Sequence, residues 1–373
     1  MQKNKKKSNK SSAMKTANII GAGPAGCFLA GELAGKFRVN VYEEHKEIGK
    51  PVHCTGIATS KIKELIELPE GIILDRIHTI EINSGDKKLE IKLKEPDIVL
   101  DREKFEKYLF SRAEKAGAKF FLGHKLEKIT ENTIIIKNNE RKITKPKEIL
   151  IGADGPQSIV SKHLGNKNRF FSGIQELCNK CETGKAIVKT GTGKFCWKVP
   201  CKEYSKTGVM SDLKNAGADF AEIKTSEKSE KQGGLIPIYN PKEILHKKDT
   251  YIIGDAASLA KATTGGGIIP GLCSAKILAD CLINGKKYEK EIKQIKKELL
   301  LHLTARKILD AMKAEELEKL ISILSKQKNK EVLGKNSRDN LPKLALLLML
   351  KNPIRLTSLF TNVIARMFHN KNL

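Results

Sequence analysis

One stretch constrains this chain more than any other: Asn18-Ile-Ile-Gly-Ala-Gly-Pro-Ala-Gly, where a short apolar run meets glycines spaced Gly21-x-Gly23-x-x-Gly26 and then a helical pattern. A strand entering a helix through such a turn aims the helix N-terminus, with its free N–H groups, at an anion. Gly21 permits the tight turn, Gly23 lets backbone approach a diphosphate, and Gly26 lets the helix pack close to the strand. That spacing alone is a weak signal. A second strand, Phe37-Arg-Val-Asn-Val-Tyr, ends at Glu43, 22 residues after Gly21, where a carboxylate would accept from a ribose 2′-hydroxyl. Together they predict a dinucleotide site on a βα turn.

At 373 residues and 40% hydrophobic content, the chain is long enough for two domains plus a helical tail. Its 69 Lys+Arg against 43 Asp+Glu give a net charge of +26, which draws anionic partners. Only ten of those cations are Arg, the residue that reads phosphates and bases bidentately, so nucleic acid is set aside and a solvated basic surface is expected. Residues 1–15 carry six lysines, no acid and almost no apolar side chain, and are expected to form a disordered basic arm. The first apolar segment is the nucleotide strand itself, so no signal peptide is expected. Eight scattered cysteines point to a reduced, cytoplasmic compartment.

Along the chain, a Gly/Pro-bounded loop with Cys54 precedes a helical stretch from about Ser60 to Leu68. Alternation at Ile77, Thr79 and Glu81, a Ser84-Gly85-Asp86 turn, and alternation at Leu89, Ile91 and Leu93 predict a β-hairpin. An antiparallel ribbon inside a βαβ frame means that a second domain starts within the first. A helix follows from Arg102, ended by Gly117, then short strands at 119–122, 126–130 and 133–136. Two further buried strands run into polar turns, at Gly152-Ala-Asp154-Gly155 and Gly254-Asp255-Ala-Ala. Residues 166–240 are predicted to be β-rich, a helix starts near Gly265-Gly266-Gly267-Ile268, and everything beyond 286 is helical.

The three strand-to-turn motifs, in this order, resemble the FAD-binding set of flavoproteins with the p-hydroxybenzoate-hydroxylase type of fold, over residues 16–285. Within that fold the match narrows to the geranylgeranyl reductase family, whose archaeal members resemble digeranylgeranylglycerophospholipid reductases. The loop Glu47-Ile-Gly-Lys-Pro-Val-His-Cys54-Thr55-Gly, the run Gly254-Asp-Ala-Ala-Ser-Leu-Ala-Lys-Ala-Thr-Thr-Gly-Gly-Gly-Ile268, and Phe195-Cys-Trp197-Lys-Val-Pro200 carry it. Ala262, Phe195, Val199 and Ser161 stand where the family pattern has Pro, Tyr, Phe and Arg.

The resemblance implies an α/β protein: a Rossmann-like FAD-binding domain (16–75, 96–165 and 241–285) interleaved with an antiparallel β-rich substrate domain (76–95 and 166–240), plus C-terminal helices (286–373). It implies FAD contacts at Gly21, Gly23, Ala25, Gly26, Glu43, Glu44, Cys54, Thr55, Arg102, Leu126, Asp154, Gly155, Asp255, Gly266, Gly267 and Ile268. Phe195, Trp197 and Pro200 would line the substrate cavity. The implied reaction is alkene reduction, with N5 of reduced flavin delivering a hydride to one carbon of an isolated prenyl double bond while an acid protonates the other. Such a substrate offers no carbonyl to polarise, so positioning and a proton donor in a dry cavity carry the catalysis. Cys54 is the candidate donor or positioning group, against a reading as a buried packing thiol. The implied partners are a prenylated ether lipid, an electron donor such as NAD(P)H or ferredoxin, and the anionic inner face of the cell membrane. The alternatives are a flavin monooxygenase or halogenase of a soluble aromatic compound, and a non-catalytic FAD or lipid-binding protein.

Two signals remain. Cys178, Cys181, Cys196 and Cys201 approximate zinc-ligand spacing, but are expected to be unpaired strand cysteines that hold no metal. The tail from Leu341 is apolar yet too short to span a bilayer, and reads equally as core helices over a lipid cavity or as an interfacial pair with Lys351, Arg355 and Arg366 at the headgroups.

Overall fold

The apolar run ahead of the glycine turn forms a strand, Thr16–Ile20, buried on both faces, and buried strands of this kind belong in a parallel sheet covered by helices. A computed structural model of the chain describes residues 14–139, 141–191, 193–224 and 229–369. Most of the expected basic arm thus lies outside the described residues. Thr16–Ile20 is central in a six-stranded sheet, flanked by Arg38–Glu43 and then Lys119–Leu122 on one side, and by Ile149–Gly152 and then Thr250–Ile252 on the other. These five strands are parallel, and His246–Lys247 closes the edge antiparallel. The consequence is that the three strand-to-turn motifs end on three adjacent strands. The main-chain N–H of Ala153 donates to Ile20 at 2.7 Å, and that of Ile253 to Gly152 at 3.0 Å.

The second sheet has eight strands, ordered Lys231–Ile238, Arg169–Asn179, Tyr204–Asp212, Lys194–Cys201, Lys185–Gly191, Ile73–Ser84, Lys87–Leu100 and Ile57–Ala58. It is antiparallel throughout, except where Lys185–Gly191 runs parallel to Ile73–Ser84. The hairpin is longer than its alternation suggested, because register shifts after Ile73 and after Ile77 let the two strands carry on past irregular pairs. A small sheet of His124–Ile129, Thr133–Asn138 and Arg141–Pro146 adds a ribbon after the helix Arg102–Lys115. The helix expected at 60–68 is a single turn, Ile62–Leu65, followed by a 3-10 turn at Glu70–Ile72. The helix ends where Ile66 turns extended, and Pro69 disfavours helical backbone at the residue before it, so the helix does not resume.

Helices Pro24–Leu33, Arg102–Lys115 and Ile268–Asn284 pack together on the parallel sheet. Beyond them the chain is helical, with Lys293–Ala311, Ala314–Leu324, Gln327–Lys335, Leu341–Lys351 and Pro353–His369 as the main elements. These helices do not trail away from the body. Ala314–Leu324 and Gln327–Lys335 cover the hairpin, burying Leu89 and Ile91 against Ile321. Residues 312–363 also hold a core of their own, with Met312, Leu317, Ile323, Leu356, Leu359 and Val363.

Candidate functional site

The glycine turn is built on close backbone approach. Gly21 has φ +97°, and a Cβ on it would lie 2.7 Å from the Ala153 carbonyl carbon. A Cβ on Gly26 would run into the Gly21 carbonyl oxygen, so the helix can start where it does only with glycine there. Gly23 differs, because nothing lies within 4 Å of the position its Cβ would take. That open side adjoins the start of Pro24–Leu33, whose free N–H groups could receive an anion. Glu43 accepts from the Ala22 N–H at 2.7 Å and the His45 N–H at 2.9 Å, so it braces the turn. Glu44 pairs with Lys125 at 2.6 Å, beside the buried Leu126.

Asp154 accepts from the Ser158 hydroxyl at 2.6 Å and from the Ile159 N–H at 2.8 Å, which makes it a turn carboxylate, pushed up in pKa by burial. Gly155 next to it has φ +72° and open space where a Cβ would be. Asp255 is pushed up to about 6 by burial, against the pull of the Arg102 charge. A Cβ on Gly267 would come within 2.7 Å of the Asp255 carboxylate, so Gly266, Gly267 and Ile268 open the helix Ile268–Asn284 right at that aspartate. Ala25 completes the contact, 3.1 Å from where a Gly254 Cβ would be.

Ser161 stands where the resemblance expects arginine, and its hydroxyl donates to the buried Glu243 at 3.3 Å. The Glu243 carboxylate also has the Ser258 hydroxyl beside it, yet burial pushes this carboxyl up to about 7. Its ordinary value is 4.5, so below that pH both states are protonated; as pH rises, only the unfolded state ionises, and stability declines until about pH 7. Glu243→Gln is therefore expected to exceed wild type in stability by up to ~3 kcal/mol at pH 8, the gap closing toward pH 4.5. Denaturant titrations at pH 5 and pH 8 check it, and equal gaps at both would refute the burial argument.

Cys54 lies between the two sheets' contributions. Its thiol adjoins the guanidinium of Arg102, the first residue of the helix capped by Asp101. Burial works against the Arg102 charge, but the neighbouring Cys54 and an ion pair with Glu106 hold its pKa above the usual value. The Arg102 Nε is buried with no partner among the described residues. Such an orphaned donor, on a side chain that lies against Gly56 of the cysteine loop, suits an anionic or carbonyl-bearing ligand.

The loop through Cys54 is docked on one face of the antiparallel sheet, and the sheet is thinned to receive it. A Cβ on Gly234 would be 3.2 Å from the His53 Cβ, and Thr55 donates its hydroxyl to Gln175 at 2.7 Å. The Lys206 ammonium donates to the Cys54 and Thr55 carbonyls at 3.3 and 3.1 Å. Trp197 pairs in register with Gly208, where any side chain would collide with the indole. Phe195 shares that face, its ring 6.1 Å from the indole, as strand alternation requires. Gly265, in the loop leading to the long helix, closes over Met210 and Ile236 of the same face. By the same alternation, Pro200 and Cys196 fall on the opposite face, where Cys196 packs with Val209 and Phe220. Cys201 returns to the Trp197 side. Strand geometry thus separates Cys196 from Cys201, and no group of three or more His, Cys, Asp or Glu able to hold a metal occurs among the described residues.

Sequence reasoning missed Lys206, Gln175, Gly208 and Asp339. A buried Asp339 accepts from Lys261, in the run before the glycine triplet, and from Thr59, beyond the cysteine loop. It ties both loops to the C-terminal region, and nothing in the local pattern around 339 signals this.

The three glycine and aspartate turns on adjacent parallel strands, with an antiparallel sheet facing them, define the class: the two-sheet nucleotide-binding fold of flavin-dependent enzymes. Its members include CmlS, a flavin-dependent halogenase, at TM-score 0.61 and 14% identity over 88% of this chain and 67% of that one. A geranylgeranyl bacteriochlorophyll reductase-like protein from Thermoplasma acidophilum matches at TM-score 0.79 and 22% identity, over 94% of this chain and 100% of that chain. By sequence, the digeranylgeranylglycerophospholipid reductase of Methanocaldococcus jannaschii is 28% identical over 82% of this chain and 89% of its own. That of Thermoplasma acidophilum is 26% identical over 83% and 91%. No family model matches the chain. The chain is a homologue of the digeranylgeranylglycerophospholipid reductases.

Proposed function

We propose that this protein is an FAD-dependent reductase that saturates isolated double bonds of geranylgeranyl chains in archaeal-type membrane lipids. The observation that carries the reading is the Cys54 loop, held beside the buried Arg102 and across from Phe195 and Trp197, in a homologue of prenyl-lipid reductases. FAD suits the residues present. Gly21, Gly23, Ala25 and Gly26 would hold its diphosphate, Glu43 and Glu44 the ribose side, Leu126 the adenine side, and Asp154, Gly155, Asp255, Gly266, Gly267 and Ile268 the flavin half. When bound and reduced, FAD supplies the two electrons that an isolated alkene cannot draw from any side chain. The chain's own part is to place the alkene against Trp197, exclude water, and present a proton at the Cys54 side of the cavity. An anionic membrane surface is the proposed meeting place with so insoluble a substrate.

The test is anaerobic. Protein purified yellow, with one FAD per chain and reduced by dithionite, is incubated with an unsaturated diether lipid, and mass spectrometry follows gains of two hydrogens. Product formed only with oxygen and NAD(P)H would instead identify a monooxygenase. Cys54→Ala is expected to keep its FAD and slow reduction by 10²- to 10⁴-fold, the usual worth of a positioned proton donor. Unchanged turnover and product distribution would make Cys54 a packing residue.

A further inference from the structure

Lys206 is an unusual place for a lysine. It is the third residue of Tyr204–Asp212, an inner strand of the eight-stranded sheet, and is only 3% exposed. A buried ammonium ordinarily pairs with a carboxylate, because removal from water costs several kcal/mol. Among the described residues, no Asp or Glu oxygen lies within ion-pair distance of it, and the acceptors at its Nζ are the carbonyl oxygens of Cys54 and Thr55. Both belong to one turn of one loop. The same turn is held from a second side by Thr55 on Gln175, whose amide in turn donates to Gln232 at 2.8 Å. On its far side stands Arg102.

We propose that Lys206 is a positioning residue of the cysteine loop: its ammonium fixes the Cys54–Thr55 turn, and with it the place of the Cys54 thiol beside Arg102. The charged or titratable groups around the turn are Arg102, Glu106 and Asp101 from the start of Arg102–Lys115, Cys201 from the neighbouring strand, and His53 within the loop. Burial pulls the Lys206 pKa below its ordinary value, opposed by Cys201 and Cys54. The inference rests on Cys54 belonging to the reaction site proposed above.

The test reads Cys54 directly. Flavin-loaded full-length protein is treated with iodoacetamide between pH 6 and 9, and peptide mass spectrometry follows alkylation at Cys54 in wild type, Lys206→Met and Lys206→Arg. Loss of the two hydrogen bonds from the ammonium is expected to let the turn open more often and speed Cys54 alkylation about tenfold at every pH. Lys206→Arg, which keeps a long donor there, should stay close to the wild-type rate. Alkylation of Lys206→Met within twofold of wild type would overturn the proposal. Should Lys206→Met fail to fold, Lys206→Gln, too short to reach both carbonyls, carries the same comparison. A protein that follows the expected alkylation pattern yet reduces no lipid would retire the proposed substrate and leave the Lys206 assignment standing.

Discussion

Gly26→Ala is expected to emerge from purification colourless. A methyl group on Gly26 would overlap the Gly21 carbonyl oxygen and press to 3.2 Å on the Ala153 side chain, and neither backbone can yield without moving a central strand. The helix Pro24–Leu33 would have to slide off its strand, and its N–H groups would lose their aim. A loss of three or more charge-assisted hydrogen bonds at ~1.5 kcal/mol each would weaken diphosphate binding by at least ~10³-fold. Flavin absorbance per chain after gel filtration, with circular dichroism to confirm folding, measures it. Asp255→Ala is the milder contrast, removing one contact and leaving the turn intact. A folded Gly26→Ala protein that keeps full flavin would refute the assignment of this turn to the cofactor.

The second large effect is expected at the other end of the chain. Helices Leu341–Lys351 and Pro353–His369 meet at a sharp bend, measured as 114° over residues 341–367, and no single helix among the described residues is long and apolar enough to cross a membrane. One side of the pair is core: Leu344, Leu356, Leu359 and Val363 are buried. The bend itself presents Leu346, Leu350 and Ile354, 60%, 68% and 83% exposed, among the exposed cations Lys343, Lys351 and Arg355. No Asp or Glu occurs from residue 340 to the last residue given. An apolar apex ringed by cations alone suits the boundary between anionic headgroups and acyl chains.

Wild-type protein is expected to bind anionic liposomes in two parts: a fraction lost on adding salt, which screens surface charge over ~10 Å, and a fraction that survives. Leu350→Asp with Ile354→Asp should abolish the surviving fraction, at least ~100-fold in partitioning, since each apolar side chain buried is worth about 1.5–3 kcal/mol. Substitution is the better probe here than cutting after Asn340. A cut would strip Leu356, Leu359 and Val363 from the core around Met312 and unfold what it was meant to test. Liposome flotation with the double variant still bound at high salt would sink the interface reading.

The residue pattern by itself determined the parallel-sheet half of this protein and its three turns. Gly21, Gly23 and Gly26 act within six residues of one another, Glu43 lies one βα unit away, and the two aspartate turns each follow a buried strand, so local spacing carries the signal. Only the tertiary structure decided the other half. Which face of Lys194–Cys201 meets the cysteine loop depends on register with strands far away in sequence, whereas alternation along the strand already divides Trp197 from Pro200 and Cys196 from Cys201. Lys206 in a strand reads as one more solvated lysine among 59 in a basic chain until a loop 150 residues earlier is seen to cover it. Asp339 reads as a turn residue until Lys261 and Thr59 converge on it. Local propensity reaches a few residues along the chain, whereas burial of a charge is settled by what packs over it.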